Sequence, residues 1–388
     1  MQTNDKKKKP PLPVLLGLGL GLFALLALAL WPTSPPPGPP PPPPSPEEVF
    51  LDLPKIDVHT HLSLSQVPEI LGIMDENGID VMLNASGGGP NRGLPSWARV
   101  AAETGGRIRP YCNFPFSAVE QPEFPELAVA WLNDCKSMGA VGLKVFKSLG
   151  LGIPLSDGSL LRADDPRLDL VFETAGNLGL PVLIHTGDPQ AFFEPPTRDN
   201  ERYAELEAHP SWSFYGDDPA GNAWPTWEEI FAQFEERVAR NPGTTFVGAH
   251  FGNAPEEPQR VARMLERYPN LVVEIGARVP EIGRHDAGEM RALFVRFADR
   301  ILFGTDLAVT DGGLTLGSSG PEEDRRDQVP AFFASHFRYL ETARRGFAHP
   351  TPIQGNWTID GLSLPREVLQ KVYADNARQV FRLELPSN

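Results

Sequence analysis

Between residues 55 and 306, eight short apolar runs alternate with amphipathic helical stretches, and this alternation restricts the fold more than any other feature of the chain. The runs are KIDVHTH, IDVMLNAS, IRPYCNF, AVGLKVFKS, LPVLIHTGD, TTFVGAHFG, LVVEIGAR and ILFGTD. Between them lie helix-period segments such as EFPELAVAWLNDCKSMG, DPRLDLVFETAGNLG and TWEEIFAQFEERVARNPG, several ended by Gly, as helix stops should be. Strands separated by helices imply right-handed crossovers and a parallel sheet. Eight such strands close a barrel. A doubly wound open sheet is the competing arrangement, but it calls for a Gly-rich phosphate loop after the first strand, and none follows KIDVHTH. The expected fold is α/β, a closed (β/α)8 barrel.

Polar residues gather where each run ends: His59 and His61, Asn84, Asn113, Lys144, His185, His250, Arg278 and Asp306. Catalytic groups of such barrels collect at the C-terminal rim of the strands. His59 and His61 are two residues apart in a strand, so they project from the same face and can grip one ion. Lys144 and Lys147 have opposite parity, so only one faces the lumen. Long insertions follow the fifth strand (189–224) and the eighth (from residue 307). The aromatics Phe192, Phe193, Trp212, Phe214 and Tyr215 suit the first to an ordered wall over the site. The Gly- and charge-rich second insertion reads as more mobile.

The N-terminus differs from the rest. MQTNDKKKK is basic, Val14 to Trp31 is an uninterrupted apolar run, and PTSPPPGPPPPPPSP is a low-complexity proline tract. A basic cluster before an apolar run of this length is an export signal. Residues 1–31 read as a signal peptide or signal anchor, 32–46 as an extended Pro-rich linker, and 47–388 as the catalytic domain. The domain is then exported. It is membrane-anchored through its N-terminus if the segment stays, and secreted or periplasmic if it is cleaved. The net charge of −15 argues against nucleic acid as a partner. Cys112 and Cys135 read as buried small apolar residues, one in a strand and one in a helix, with a single bridge as the other option.

IDVHTHL, GLPVLIHTGD, VGAHFGN, ILFGTD and YADNARQVFRL, in this order across residues 54–383, resemble the amidohydrolase superfamily of metal-dependent TIM-barrel hydrolases. The closer likeness is to the amidohydrolase-related branch that also contains decarboxylases. The resemblance implies a divalent metal, Zn²⁺ first, held by His59, His61, His185 and Asp306. It also implies a metal-bound water that attacks an amide, ester or lactone carbonyl, with Asp306 as general base and His250 as second catalytic residue. Three nitrogen donors and one oxygen with an open position are what a catalytic ion needs. A second ion, where present, would use Lys144, His185 and His250. The alternatives are non-hydrolytic decarboxylation and a catalytically inactive binding barrel. The partner is a small-molecule substrate, and family members are often homodimers.

Arg278, Asn253 and Lys144 are the expected substrate-binding residues, Arg278 through a bidentate grip on a carboxylate. An ion pair with Glu274 or near Asp306 is the structural reading of Arg278. His209 and Arg198 are further pocket candidates. Asp57 is read as supporting His59 from behind, and Glu235 and Glu236 as a solvated helix face. His285, His336 and His349 are read as surface or helix residues.

Overall fold

The structure, a computed structural model, describes residues 49–385. The signal segment and most of the Pro-rich linker lie outside the described residues. Among the described residues no helix is long and apolar enough to cross a membrane.

The eight expected strands are all present. They are β1 (Ile56–Leu62), β2 (Val81–Asn84), β3 (Ile108–Pro110 and Cys112–Asn113) and β4 (Leu143–Val145). Then come β5 (Val182–Ile184), β6 (Phe246–Gly248), β7 (Leu271–Glu274) and β8 (Ile301–Leu302). Each pairs in parallel with the next. At the break in β3, Tyr111 N donates to Asn84 O and Cys112 N donates to Gly142 O, which carries the ladder from β2 to β4. Val58 N donates to Phe303 O at 3.1 Å and Asp306 N to His59 O at 2.8 Å, so β8 returns to β1 and the barrel closes.

Helices α1 (Val67–Asn77), α2 (Leu94–Glu103), α3 (Phe124–Ser137), α4 (Asp169–Asn177), α5 (Trp227–Arg240), α6 (Pro258–Arg267) and α7 (Ala287–Arg296) fill the crossovers. α8 (Val329–Glu341) and α9 (Asn376–Phe381) complete the chain. Local chemistry sets the helix ends. The sequence TWEE starts α5 with a reciprocal cap, Thr226 Oγ1 accepting from Glu229 N and the Glu229 carboxylate accepting from Thr226 N. Gly78, at φ +64°, stops α1 in the left-handed region, where a side chain would be strained.

Strand parity divides the core. Leu143, Val145, Val182, Ile184 and Phe246 pack outward against helix residues such as Phe172 and Phe234. Leu83, Tyr111, Leu183, Val247 and Leu302 form an inner set, against which Ala377 and Phe381 of α9 pack. Lys144 has the inward parity.

Three expectations are corrected. Cys112 and Cys135 are buried, as read, but also bridged, which ties β3 to α3. The insertion after β8 is built rather than irregular: β9 (Leu307–Thr310) and β10 (Gly313–Leu316) form a hairpin, and β9 adds to β1. His336 lies in α8, in keeping with the helix reading, and is buried at 1% relative exposure, whereas His349, at 3%, lies neither in a helix nor on the surface. His336 donates to Phe332 O and His349 to Gly355 O, bonds that satisfy one nitrogen of each ring.

Candidate metal centre

His59 leaves the end of β1 with its Nδ1 3.0 Å from Glu274 Oε1 on β7. A carboxylate only accepts, so Nδ1 carries the proton and Nε2 presents a lone pair. That lone pair faces Asp306 Oδ1 at 3.4 Å and the Lys144 ammonium at 3.1 Å. His61, two residues on, places Nε2 3.3 Å from the same Asp306 oxygen, while its Nδ1 meets Ser86 Oγ at 2.8 Å. The shared face expected of His59 and His61 is therefore present.

His250 follows β6. Its Nδ1 lies 2.8 Å from Gly276 O, an acceptor, so Nε2 is again a bare lone pair. Its backbone N donates to Glu274 Oε1 at 2.7 Å. One carboxylate thus holds the His59 ring and the His250 backbone. Donor atoms of His59, His250 and Asp306 come within 4.8 Å of one another. His185 stands beside this group: Nδ1 is 3.3 Å from His250 Nε2, and Nε2 is 3.4 Å from Asp188 Oδ1, buried and without a hydrogen bond. Of the residues of the second-ion reading, Lys144 bonds His59, while His185 and His250 meet each other.

Backbone strain concentrates here. Among the described residues, the non-glycine residues at positive φ include His250, Phe251, Asn253, Ala277 and Asp306. Each such residue costs on the order of 1–3 kcal/mol and persists where surrounding contacts fix it. The turn Ala249–Gly252 and the Asp306 kink aim their side chains at one point.

Burial would raise the Asp306 carboxyl, but His59, His61 and Lys144 overcome this and hold it well below the usual carboxylate range. Burial drives the His250 ring well below its ordinary value, and brings His185 down to about 4 against the opposing pull of Asp188. Both are neutral near pH 7. Burial lowers the Lys144 amine to about 8, with Asp306 and Glu274 resisting. Burial raises Asp57 to about 7 against bonds from Thr305 and His59 N; it braces the β1–β8 junction from behind, as read.

Metal fit follows from this count of donors. His59 Nε2, His250 Nε2 and both Asp306 oxygens are acceptors, and the buried His185 Nε2 is unsatisfied. Lys144 is the cation that approaches them. Such a cluster suits a divalent ion, and nitrogen-rich donor sets of this kind suit Zn²⁺ and related metals.

Other expected residues take different places. Asn253 accepts from Thr186 N and Gly187 N and donates to Ile184 O, so it fixes the segment carrying His185. Asn84 and Asn113 likewise anchor loop backbone. Arg278 does not pair with Glu274; it bonds Ala277 O and lines the cavity over the centre, a space of about 300 Å³. His209 stacks on Trp212 and bonds Ser319 at the cavity wall. Arg198 is in the insertion after β5 and does not line the cavity. Lys147 is not in the lumen; it reaches the cavity from the rim and pairs with Asp188 at 2.6 Å. Glu274 and Asp188 were not singled out from sequence as site residues. The one available signal for Glu274 was an acid in an otherwise apolar strand.

A family profile described as amidohydrolase matches residues 56–383. A search of curated proteins finds no match. Among solved structures, the chain is similar to dihydroxybenzoic acid decarboxylase from a Polaromonas species with bound manganese, at 16% identity over 85% of this chain and 97% of that one, TM-score 0.49. It is similar to 5-carboxyvanillate decarboxylase from Sphingomonas paucimobilis, at 15% identity over 86% and 100%, TM-score 0.47. It is also similar to an amidohydrolase from Burkholderia multivorans with bound HEPES, at 12% identity over 85% and 100%, TM-score 0.45.

Proposed function

Because the chain belongs to the amidohydrolase family, we propose that it is a metal-dependent hydrolase of amide, ester or lactone carbonyls. The observation that carries the reading is the ionised Asp306 carboxylate set between Nε2 of His59 and Nε2 of His61 and open to the cavity. His59, His61, His250 and Asp306 would hold the ion, with His185 alongside; Zn²⁺ is the first choice. When bound, it acts as a Lewis acid, polarising a carbonyl oxygen and acidifying water.

The chain's own groups do the rest. Asp306, ionised, accepts a proton from the attacking water. The water oxygen joins the acyl carbon, the bond to the leaving nitrogen or oxygen breaks, and the proton passes to that leaving atom. Neutral His250, its Nδ1 proton held by Gly276 O, keeps its Nε2 lone pair for the ion, with His185 Nδ1 beside it at 3.3 Å. Glu274 keeps the His59 tautomer in place, and Gly276 O that of His250.

A second reading, decarboxylation, is favoured by Arg278, whose guanidinium could hold a scissile carboxylate. Product analysis separates the two: metal-loaded protein incubated with amides, esters, lactones and aryl carboxylates yields an acid with an amine or alcohol, or CO₂. Turnover of carbonyl compounds that is lost in Asp306→Asn supports hydrolysis; CO₂ alone overturns it. We place the domain outside the cytoplasm as well, since the Cys112–Cys135 bond suits an oxidising compartment.

A further inference from the structure

Two cavities flank the centre, and only the larger holds Arg278. In the larger, the charged lining residues are nearly all matched: Lys147 with Asp188, Glu205 with the buried Arg202, Asp306 with the nearby Lys144. Arg278 is the exception. It is 7% exposed, its one side-chain hydrogen bond goes to Ala277 O, and no carboxylate lies within ion-pair distance among the described residues. Asp188, Glu205 and Glu256 attract this guanidinium from beyond ion-pair distance, and a carboxylate in direct contact would repay more of the solvation that burial removes. The cavity supplies the space for one.

The second cavity, about 260 Å³, lies on the other side of Phe146. Phe114, Phe116 and Ile153 form its apolar wall, Ser117 and Ser148 also line it, and Lys144 closes it towards His59. Phe146 lines both cavities, is 36% exposed, and sets its ring 6.0 Å from that of His61. A large aromatic at this point separates the space that holds Arg278 from one with Phe114, Phe116 and Ile153 in its wall, with the metal centre at the partition.

We propose that the substrate has two arms: a free carboxylate held by Arg278 and an apolar, ring-sized group lodged among Phe114, Phe116 and Ile153, joined by the carbonyl linkage that is cut. The two-arm assignment rests on the hydrolase reading only for that linkage. The arms themselves are read from the cavities.

The test uses a ligand with nothing to hydrolyse. 5-Phenylpentanoate, pentanoate and 5-phenylpentan-1-ol are titrated by calorimetry into the metal-loaded full chain. The phenyl acid is expected to bind at least about 10-fold more tightly than either truncated ligand, from ring burial and from a charge-assisted bond. Arg278→Met is expected to erase the preference for acid over alcohol, and Arg278→Lys to keep part of it. Ser117→Trp, an exposed position on the rim of the apolar cavity, is expected to erase the gain from the ring while pentanoate binding stays. Equal binding of acid and alcohol by the unmodified chain, or a ring gain undiminished in Ser117→Trp, would overturn the assignment. If binding follows the expected pattern but no carbonyl compound is cut, the arms stand and the hydrolase reading falls.

Discussion

Glu274 Oε1 accepts a hydrogen bond from His59 Nδ1 at 3.0 Å, and this one contact decides which nitrogen of His59 faces Asp306. The same oxygen accepts from His250 N. Glu274→Gln, which is nearly isosteric, replaces the anion with a neutral amide and removes its hold on the tautomer. Affinity for Zn²⁺ is expected to fall by about 10–100-fold, measured by calorimetric titration, while the circular dichroism spectrum is unchanged. Unaltered affinity would show that the contact does not orient a ligand.

Asp306→Asn keeps the shape of the side chain but removes the charge that water must meet. Turnover is expected to drop about 10²–10⁴-fold, the range for losing a positioned general base, with much less change in KM. Steady-state kinetics on the carbonyl compound turned over fastest makes the comparison.

The barrel was legible because periodicity alone carries it: each strand-like run is bounded by helix-period sequence, and His59, His61, His185, His250 and Asp306 all fall at strand ends. Less was legible about who holds whom. Glu274 lies 215 positions from His59, and no local pattern announces such a pair. Lys147 and Asp188 meet across 41 positions, and the bridge between Cys112 and Cys135 depends on how closely α3 packs on β3. Asn253 looked like a pocket residue because its position at a strand end is shared by ligands and loop anchors alike. His349 read as a surface or helix residue because isolated polar residues are usually exposed, whereas its burial is met by a bond to Gly355 O.

Acid should unfold the protein partly through His336. Burial lowers its pKa to about 4, with the bond to Phe332 O opposing, against an ordinary value of 6.5. Between those two values the unfolded chain binds the proton and the folded chain does not, so stability falls as pH falls from 6.5 towards 4. Urea denaturation at pH 7 and pH 5 should show roughly 2 kcal/mol of loss attributable to this group. His336→Phe is expected to lose correspondingly less between the same two pH values. An identical loss in both proteins would contradict the assignment.

Arg202 ties down the insertion that walls the cavity. It is fully buried, meets Glu205 at 2.7 Å and also pairs with Glu281 in the turn after β7. Arg202→Met leaves both acids without a cation, at an expected cost of about 3–5 kcal/mol in chemical denaturation. Limited proteolysis should then cut within residues 189–224 before the barrel is attacked. Simultaneous cleavage throughout would mean the pair supports the whole fold, not the wall.

Metal content tests the central claim most directly. The purified chain, never exposed to chelator, is measured by elemental analysis beside His59→Ala and Lys144→Ala. About one divalent ion per chain is expected, lost in His59→Ala and retained in Lys144→Ala. Absence of a stoichiometric ion in the unmodified protein, persisting after incubation with Zn²⁺ or Mn²⁺, would contradict the account.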